Sequence, residues 1–420
     1  MKISMISEHA SPLAVLGGAD AGGQNVHVAE LALALGRRGD QVTVYTRRDA
    51  AETPERVPLG PGVEVVNVTA GPAAPVERDR MLPHMPDLAS GVAADWLERG
   101  APDLVHGHFW MSGLAALDAA TQLELRTGQR VPVIQTFHAL GTVKRRHQGA
   151  ADTSPAERAE LEPQVGQDVD AIIATCTDEV EELSAMGIDR SKASVVPCGV
   201  DIRRFTPHGP RAFTPQRPTI AVVGRIVPRK GADLVISALA ELEDRGMPEV
   251  DLIIVGGPDA GDGTLFEDPE LARLAQLACA LGVGERVRFL GRIPQESLPA
   301  VLRSVDAVVC TPWYEPFGIV PLEAMACGVP VVAAKVGGLQ DTVVDGVTGA
   351  HVPPRDHVAL ATALGELLPD AERRRAFGRA GRERVEREYT WDGVAERTSA
   401  VYRQVAEPAV RPLADLSRVR

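Results

Sequence analysis

The stretch PWYEPFGIVPLEAMACGVPVVAA carries two glutamates whose spacing could serve one ligand. Glu315 and Glu323 stand eight positions apart, with Gly318 and Pro321 between them. On a single helix, eight residues would leave the two side chains roughly 80° out of line. Gly318 favours a loop, whereas Pro321 suits the first turn of a helix, where its missing N–H costs nothing. The pattern therefore predicts a loop that bears Glu315 and leads into a short helix that bears Glu323.

The amino end of that helix suits negatively charged or hydroxyl oxygen. We expect the helix over 321–327, ended by Gly328, so that the backbone N–H groups of residues 318–320 point outward. A carboxylate accepts hydrogen bonds from two vicinal hydroxyls. Two carboxylates around an anion site therefore suit a nucleotide sugar, with hydroxyls on either side of a diphosphate. The alternative is an exposed Glu315 and a Glu323 that only complements the helix dipole, and this stretch alone leaves it open.

Two cations follow an apolar strand-like run further upstream. In TIAVVGRIVPRKG the predicted strand runs into Gly224, and Arg225 and Lys230 come next. Positive charges at the carboxyl end of a strand can neutralise a leaving diphosphate without a bound metal. The alternative is a pair of solvated loop charges.

The amino-terminal part of the chain has a glycine-rich loop between a strand and a helix. Its glycines would let the backbone approach a ligand, and a helix from about Gln24 would offer its positive end. The lysine of a Walker loop is missing, and so is the GxGxxG spacing. This loop is a weak signal when taken alone.

Histidines lie at the ends of two further predicted strands, in HGHFW and FHALGTVKRRHQG. His106 and His108 would share one face of a continuing strand, but Gly107 between them argues against that continuation. We expect His108 or His138 to hydrogen-bond ligand hydroxyls, unless they are structural. Two histidines without a carboxylate cluster do not predict a metal site. Lys144 and the arginines after it could grip an anionic acceptor or be solvated.

Short β-branched runs alternate with amphipathic stretches through most of the chain, and these elements must position the residues above. Such alternation predicts parallel sheets covered by helices, an α/β fold. The series pauses in a proline-rich segment, which predicts a linker over 201–217 between domains at 1–200 and 218–388. A last helix follows at about 389–410. Two doubly wound domains facing each other make a cleft for a ligand.

Composition narrows the class of protein. The 420 residues carry a net charge of −13, which argues against a nucleic-acid binder, and the five scattered cysteines suggest free thiols in the cytoplasm. We expect no membrane-spanning helix. The arginine-rich run 371–389 predicts a surface helix with i,i+4 ion pairs and leaves a peripheral membrane contact open. The oligomeric state is not predicted.

The motifs resemble those of a known family. EPFGIVPLEAMACGVPVVA resembles the E-x7-E signature of the retaining GT-B glycosyltransferases of family 4, and GRIVPRKG resembles their diphosphate-binding segment. The amino-terminal motifs look like the branch of sucrose-phosphate synthases and the mycothiol-pathway (inositol phosphate) glycosyltransferases. The resemblance covers nearly the whole chain and implies a GT-B fold of two Rossmann-like domains.

The resemblance also implies residue roles. Glu315, with Arg225, Lys230 and His138, would act at the reacting centre, with His138 beside the reacting sugar. Glu323 would bind the ribose hydroxyls. The remaining implied donor-binding residues are Gly23, Arg292, Phe317, Gly318, Ile319 and Val320. The implied acceptor-binding residues are His9, Asp20, Asn25, His108 and Lys144. No metal and no cofactor are implied.

The implied activity is transfer of a hexosyl group, with retention, from a nucleotide-diphosphate sugar to a small polyhydroxy acceptor, with or without a phosphate group. We expect UDP first, with GDP or ADP as alternatives. Phe109 and Ala139 stand where the mycothiol-pathway enzyme has a tyrosine and a threonine, and losing both hydroxyls disfavours inositol phosphate. A silent sugar-nucleotide binding protein, or another two-Rossmann enzyme such as an epimerase, remains an alternative.

Overall fold

The computed structural model describes residues 1–14, 22–247, 249–259 and 265–406. In these residues, two sheets covered by helices form an N-terminal lobe and a C-terminal lobe, and all their strand pairs are parallel except one in the N-terminal sheet. The α/β fold class predicted from the alternation of strands and helices is confirmed.

The N-terminal lobe is built on eight strands: Lys2–Ile6 (β1), Gln41–Arg47 (β2), Arg56–Gly60 (β3), Val63–Val68 (β4), Leu104–His108 (β5), Val133–Thr136 (β6), Ala171–Ala174 (β7) and Ala193–Val195 (β8). Its helices are Gly23–Arg37 (α1), Met85–Arg99 (α2), Trp110–Thr127 (α3), Gly141–Gln148 (α4), Arg158–Asp168 (α5) and Thr177–Ala185 (α6). The strand order is β3-β4-β2-β1-β5-β6-β7-β8, and only the β3–β4 pair is antiparallel among the described strands.

The C-terminal lobe has six parallel strands in the order β11-β10-β9-β12-β13-β14. These are Thr219–Val223 (β9), Asp251–Asp259 (β10), Val287–Arg292 (β11), Ala307–Cys310 (β12), Val331–Ala334 (β13) and Gly349–Val352 (β14). The helices that follow them are Ala232–Asp244 (α7), Pro269–Ala280 (α8), Leu298–Leu302 (α9), Ile319–Ala326 (α10), Leu339–Thr342 (α11), His357–Leu367 (α12), Ala371–Glu388 (α13) and Trp391–Ala406 (α14).

The last helix, α14, packs on the N-terminal lobe although it follows the C-terminal one. It contacts α1 and β7, and Trp391 and Tyr402 are buried in the same apolar cluster as Val28 and Ile173. Phe317, from the C-terminal lobe, lies in that cluster too. The two lobes are therefore joined by shared core packing as well as by the chain.

The arginine-rich helix matches its prediction. Within α13, Arg382 pairs with Glu386 at 2.7 Å and Arg384 pairs with Glu388 at 2.8 Å, both at i,i+4 spacing. The five cysteines are free thiols, as expected. In the described part of the chain, no helix is both long and apolar enough to cross a bilayer.

One local prediction was wrong. Gly107 does not interrupt its strand, because it pairs with Ile6 on one side and with Gln135 on the other. A Cβ at position 107 would meet the Gln135 side-chain oxygen at 2.5 Å and the Gly113 backbone at 3.1 Å, so glycine lets these neighbours pack closely. The strand β5 thus continues to His108, and the rings of His106 and His108 share one face with centroids 4.1 Å apart.

Candidate active site

The segment between the two glutamates folds as a loop that feeds a short helix, as predicted, with shifted bounds. The helix α10 begins at Ile319 rather than at 321 and ends one residue earlier than expected, at Ala326. Gly318 precedes it with φ 81°, a left-handed conformation that favours glycine. Pro321 lies in the first turn of α10, where proline is tolerated because its missing N–H would have no partner within the helix. The N–H groups at the start of α10 therefore follow directly on the loop that carries Glu315.

Glu315 is held in that loop by charge and by backbone contacts. Its carboxylate pairs with the Lys230 ammonium, and its carbonyl accepts a hydrogen bond from the Gly338 N–H at 2.8 Å. Burial acts to raise the pKa of Glu315, but the nearby Lys230, aided by Arg229 and the Phe317 N–H, outweighs burial and lowers it. The carboxylate is therefore ionised and ready to accept hydrogen bonds.

The predicted cations occupy different positions. Lys230 is joined to Glu315, whereas Arg225 is exposed on the loop that leaves β9. Arg229 was not predicted, although its guanidinium lies 5.2 Å above the Tyr314 ring and its Nη1 is buried without a hydrogen-bond partner. No spacing rule separates Arg229 from the neighbouring loop cations, so the sequence had no signal for it.

Glu323 has the opposite electrostatic environment. The residue is buried in the second turn of α10, and burial raises its pKa to about 8, against a smaller opposing effect of Arg204. In the alternative interpretation, Glu323 would be a charged group that complements the helix dipole at the helix start. A buried carboxyl in the second turn does not match that description. The Glu323 carboxyl is thus neutral at pH 7 and can both donate and accept a hydrogen bond.

A cleft of about 530 Å³ opens between α1 of the N-terminal lobe and residues 292–296 of the C-terminal lobe. Arg292 and Gln295 line it from the C-terminal lobe, Arg204 from the connecting segment, and Asn25 and Glu30 from α1. Arg292, for which the resemblance implied a place in the nucleotide pocket, thus lines a cleft between the lobes. Asn25 has a further task, because its Oδ1 accepts from the Gly22 N–H at 2.9 Å and its Nδ2 donates to the Ser11 carbonyl at 3.0 Å.

The two lobes meet at the start of α10. A Cβ added to Gly23 would lie 3.2 Å from the Ile319 side chain, so the amino end of α1 faces the amino end of α10. The ring of Phe317 contacts the rings of His27 and His138, with centroids 5.9 and 5.2 Å away. The predicted donor residues Gly23, Phe317, Gly318, Ile319 and Val320 are therefore brought together with His138.

His138 is held in a strained turn. Its φ is 63°, and the Ala139 N–H donates to the Phe137 carbonyl at 2.7 Å across it, which makes a rare γ-turn. The Ala139 carbonyl accepts from Arg158 at 2.6 Å. Such strain costs about 1–3 kcal/mol and is typical of functional sites. The Nδ1 atom of His138 is buried without a partner.

The residues predicted to bind the acceptor lie in different environments. His108, predicted to bind the acceptor, is fully buried, and its Nδ1 is hydrogen-bonded to His138. Lys144 pairs with Asp152 at 2.9 Å and approaches Asp79 at 3.7 Å, so its charge is already offset within the protein. His9 is bonded to Glu8 at 2.7 Å. Asp20 lies outside the described residues.

Arginines that were not predicted surround Phe109, beside His9. The guanidinium of Arg158 lies 5.0 Å from the Phe109 ring centroid and that of Arg78 lies 6.0 Å from it, while His9 meets the ring edge at 4.9 Å. Arg158 is buried and paired with Glu162 at 2.8 Å. In the described residues no group of three or more His, Cys, Asp and Glu side chains is placed to hold a metal ion.

Several hydrogen bonds cross between the lobes near the site. Asp341 accepts from the Thr177 backbone N–H at 2.6 Å and from its hydroxyl at 2.8 Å. Gln148 donates to the Tyr314 hydroxyl at 2.7 Å, and the Tyr314 ring stacks on His147 with centroids 5.2 Å apart. Because Tyr314 directly precedes Glu315, these contacts couple the lobes at the site itself.

Comparisons with known proteins agree with this geometry. The family model described as Glycosyltransferase Family 4 matches residues 21–204, and the one described as Glycosyl transferases group 1 matches residues 208–384. A D-inositol 3-phosphate glycosyltransferase of Salinispora tropica is 37% identical, over 98% of this chain and 87% of that protein. One from Mycolicibacterium smegmatis is 38% identical, over 87% and 83% of the two chains.

Among solved structures, sucrose-phosphate synthase from Thermosynechococcus elongatus superposes with a TM-score of 0.84 and 31% identity, covering 96% of this chain and 98% of that one. The GT-B arrangement implied by the motifs is confirmed, and so is the enzyme class, against the alternative of a silent binding protein. This chain is a glycosyltransferase that belongs to the GT-B family with a family 4 amino-terminal half and a group 1 carboxyl-terminal half.

Proposed function

We propose that the enzyme transfers a hexosyl group, with retention of anomeric configuration, from a nucleotide-diphosphate sugar to a small polyhydroxy acceptor. The observation that carries the proposal is the Glu315–Lys230 pair at the start of α10, with Gly23 and His138 facing it from the other lobe. An ionised carboxylate suits the sugar hydroxyls, and the helix start suits the diphosphate.

The donor would lie along α10. In this arrangement Glu323 receives the ribose hydroxyls in the second turn, and the base extends into the cleft lined by Arg292 and Gln295. UDP is our first choice of nucleotide, with GDP and ADP behind it. Lys230 and Arg225, with the helix start, would hold the diphosphate as it gains charge on leaving. Bond breaking and acceptor attack would then occur on the same face of the sugar.

The enzyme's contribution is positioning and charge stabilisation. Lys230 would act on two parts of the donor. It pairs with Glu315, which would bind the sugar hydroxyls, and it would also supply a positive charge to the leaving diphosphate. We also propose that neither a metal nor a cofactor takes part, since protein cations are available for the leaving charge. Activity measured after treatment with EDTA should equal that of untreated enzyme, and loss restored by a divalent cation would refute this part.

The acceptor would bind in the N-terminal lobe near Phe109. His9 and the Arg78 and Arg158 guanidinium groups around the Phe109 ring supply polar contacts there. Relatives named D-inositol 3-phosphate glycosyltransferase make a phosphorylated polyol one candidate. The loss of two hydroxyl donors at Phe109 and Ala139 favours a different acceptor from inositol phosphate.

Release of nucleoside diphosphate tests the proposal. Purified enzyme is incubated with UDP-, GDP- and ADP-hexoses, alone and with inositol, inositol phosphate, hexoses and hexose phosphates. We expect slow release without acceptor and faster release with the matching one. Absence of release from every donor, by enzyme that binds nucleotide, would refute the proposal.

Two substitutions sharpen that assay. Glu315→Gln and Lys230→Ala should each lower kcat about 10²- to 10³-fold, by analogy with the loss of an oxyanion donor. The matched control is Glu181→Gln, which alters an exposed surface carboxyl paired with Arg190. A Lys230→Ala enzyme with unchanged kcat would contradict the assigned role of the leaving-group cation.

We place the enzyme in the cytoplasm, since free thiols persist in reducing compartments. Fractionation of producing cells should recover it with cytoplasmic markers. Release from membranes by high salt alone would instead indicate a peripheral contact.

A further inference from the structure

Two neighbouring strands of the N-terminal lobe end in unusual backbone conformations. Phe109, directly after β5, has φ 85° and ψ 154°, a region that is essentially reserved for glycine. His138, shortly after β6, has φ 63°. Because β5 and β6 are adjacent and parallel, both departures lie at the same edge of the sheet, the edge that faces the cleft.

A histidine–histidine hydrogen bond joins these two strand ends. His108 Nδ1 lies 2.9 Å from His138 Nε2, and the two rings stack with centroids 5.2 Å apart. Burial lowers the pKa of both rings, so both imidazoles are neutral. One proton must therefore lie between them, carried by one of the two nitrogens.

The tautomer of the neighbouring His106 is fixed by its hydrogen-bond partners. The Ile173 carbonyl can only accept, so the Thr136 hydroxyl donates to it at 3.0 Å. The Thr136 oxygen then accepts from His106 Nε2–H at 2.9 Å. His106 Nδ1 in turn accepts from the Tyr402 hydroxyl at 2.7 Å. The donor and the acceptor of each hydrogen bond from Ile173 to Tyr402 are therefore determined.

The His108–His138 pair has two possible arrangements. If His138 Nε2 carries the shared proton, His108 Nε2–H is left as a buried donor without a partner. If His108 Nδ1 carries it, His108 Nε2 keeps only a lone pair, and the buried N–H without a protein partner is His138 Nδ1–H. A buried N–H needs an acceptor. The His138 ring contacts Phe317 of the C-terminal lobe, where a bound donor sugar would supply an oxygen to His138 Nδ1–H, and this favours the second arrangement.

We propose that His108 is a positioning residue that fixes His138 as the Nδ1–H tautomer and aims that N–H at an oxygen of the transferred sugar. The inference rests on the proposed function, in which His138 touches the donor. His138 Nδ1 is buried, unpartnered and part of a ring that contacts Phe317 of the donor loop. His108 is fully buried and hydrogen-bonded to His138, so in this proposal it acts through that neighbour.

The tautomer can be read directly in the full-length enzyme. We would record two-bond ¹H–¹⁵N correlation spectra of ¹⁵N-histidine-labelled protein, assigned with His138→Gln, in the absence of substrate. The expected pattern is protonated Nδ1 and unprotonated Nε2 for His138. A protonated Nε2 on His138 would overturn the inference, and this readout does not depend on any donor being turned over.

Variants of His108 separate positioning from folding. In His108→Asn the side-chain amide can stand in for Nδ1–H and donate to His138, whereas His108→Leu cannot. We expect His108→Asn to keep the His138 tautomer and to retain kcat within a few-fold. His108→Leu should lower kcat about 10- to 100-fold with little change in donor KM, because the ring is present but misaligned.

Tyr402→Phe is the matched control, since it removes a hydrogen bond of the same cluster but leaves the His108–His138 pair intact. It should lower the melting temperature by a few degrees and leave kcat unchanged. Equal kcat for His108→Leu and wild type would overturn the inference. So would a kcat loss in His108→Asn as large as in His108→Leu with the His138 tautomer retained. If His108→Leu does not fold, the kinetics of His108→Asn and the spectra of the wild-type enzyme still test the inference.

Discussion

Two carboxyl groups, eight positions apart, are tuned in opposite directions by this structure. Glu315 stays ionised because Lys230 outweighs its burial, and Glu323 stays protonated because Arg204 does not. One acid can therefore only accept hydrogen bonds, while the other can also donate one. The two glutamates therefore differ in how they can bind a hydroxyl group, because their charged neighbours differ.

The raised pKa of Glu323 predicts a dependence of stability on pH. Since the folded protein keeps a proton that the unfolded chain loses above about pH 4.5, the contribution of Glu323 to stability is full below that pH. It falls as pH rises toward about 8, by at most about 1.4 kcal/mol per pH unit. Glu323→Gln has no such proton, so its stability relative to wild type should rise across this window.

Urea unfolding of both proteins at several pH values between 4.5 and 8.5 measures this difference in the free energy of unfolding. Glu52→Gln, at an exposed position, is the control and should show no such trend. A constant difference between Glu323→Gln and wild type would show that the Glu323 carboxyl is already ionised in the folded protein.

At the scale of elements, the Glu315 loop is shaped by a glycine on the facing turn before α11. A Cβ at Gly337 would lie 2.3 Å from the Glu315 carbonyl oxygen, and Gly337 has φ 44°. Gly346 also has a positive φ, 71°, but a Cβ there would meet nothing within 4 Å. The two glycines thus share a left-handed backbone conformation, which would strain any other residue, and differ in contact with the site.

We expect Gly337→Ala and Gly346→Ala to lose similar stability from the left-handed conformation, about 1 kcal/mol, with an added cost at Gly337. Only Gly337→Ala should lower kcat, by about tenfold or more, because it displaces the Glu315 loop. Thermal unfolding and steady-state kinetics measure both effects. Equal kcat in the two variants would show that the loop position is not critical.

Element type and order were predictable here, and element ends were less so. Breaker residues placed the loop and helix around Gly318 and Pro321, but the helix start moved to Ile319 because Gly318, in a left-handed conformation, can directly precede it. Gly107 was misjudged because its neighbour Gln135 belongs to another strand. Arg229 and Tyr314 carry no local pattern, since their roles depend on contacts made far along the chain.

At the scale of the whole molecule, the site is complete only when the lobes touch. Asp341 and Tyr314 accept three of the hydrogen bonds that join the lobes beside Glu315. Each such bond contributes on the order of 1 kcal/mol, so losing these three should shift the balance between closed and open forms appreciably.

The double variant Asp341→Ala, Tyr314→Phe should therefore bind nucleotide but turn over at least tenfold more slowly. Its radius of gyration by solution scattering should exceed that of wild type. Glu249→Ala, which breaks a surface ion pair with Arg217 inside one lobe, is the control. Wild-type kcat in the double variant would exclude these contacts from closure.

The packing of α14 has a consequence for synthesis of the chain. Tyr402 completes a hydrogen-bond branch that begins at β6 and β7, and Trp391 fills the core beside α1. A nascent polypeptide would therefore leave the ribosome with its first lobe unfinished until the final helix emerges. Expressed by itself, the segment up to residue 200 would expose an apolar surface, and aggregation is its expected fate unless the peptide 391–406 is supplied in trans.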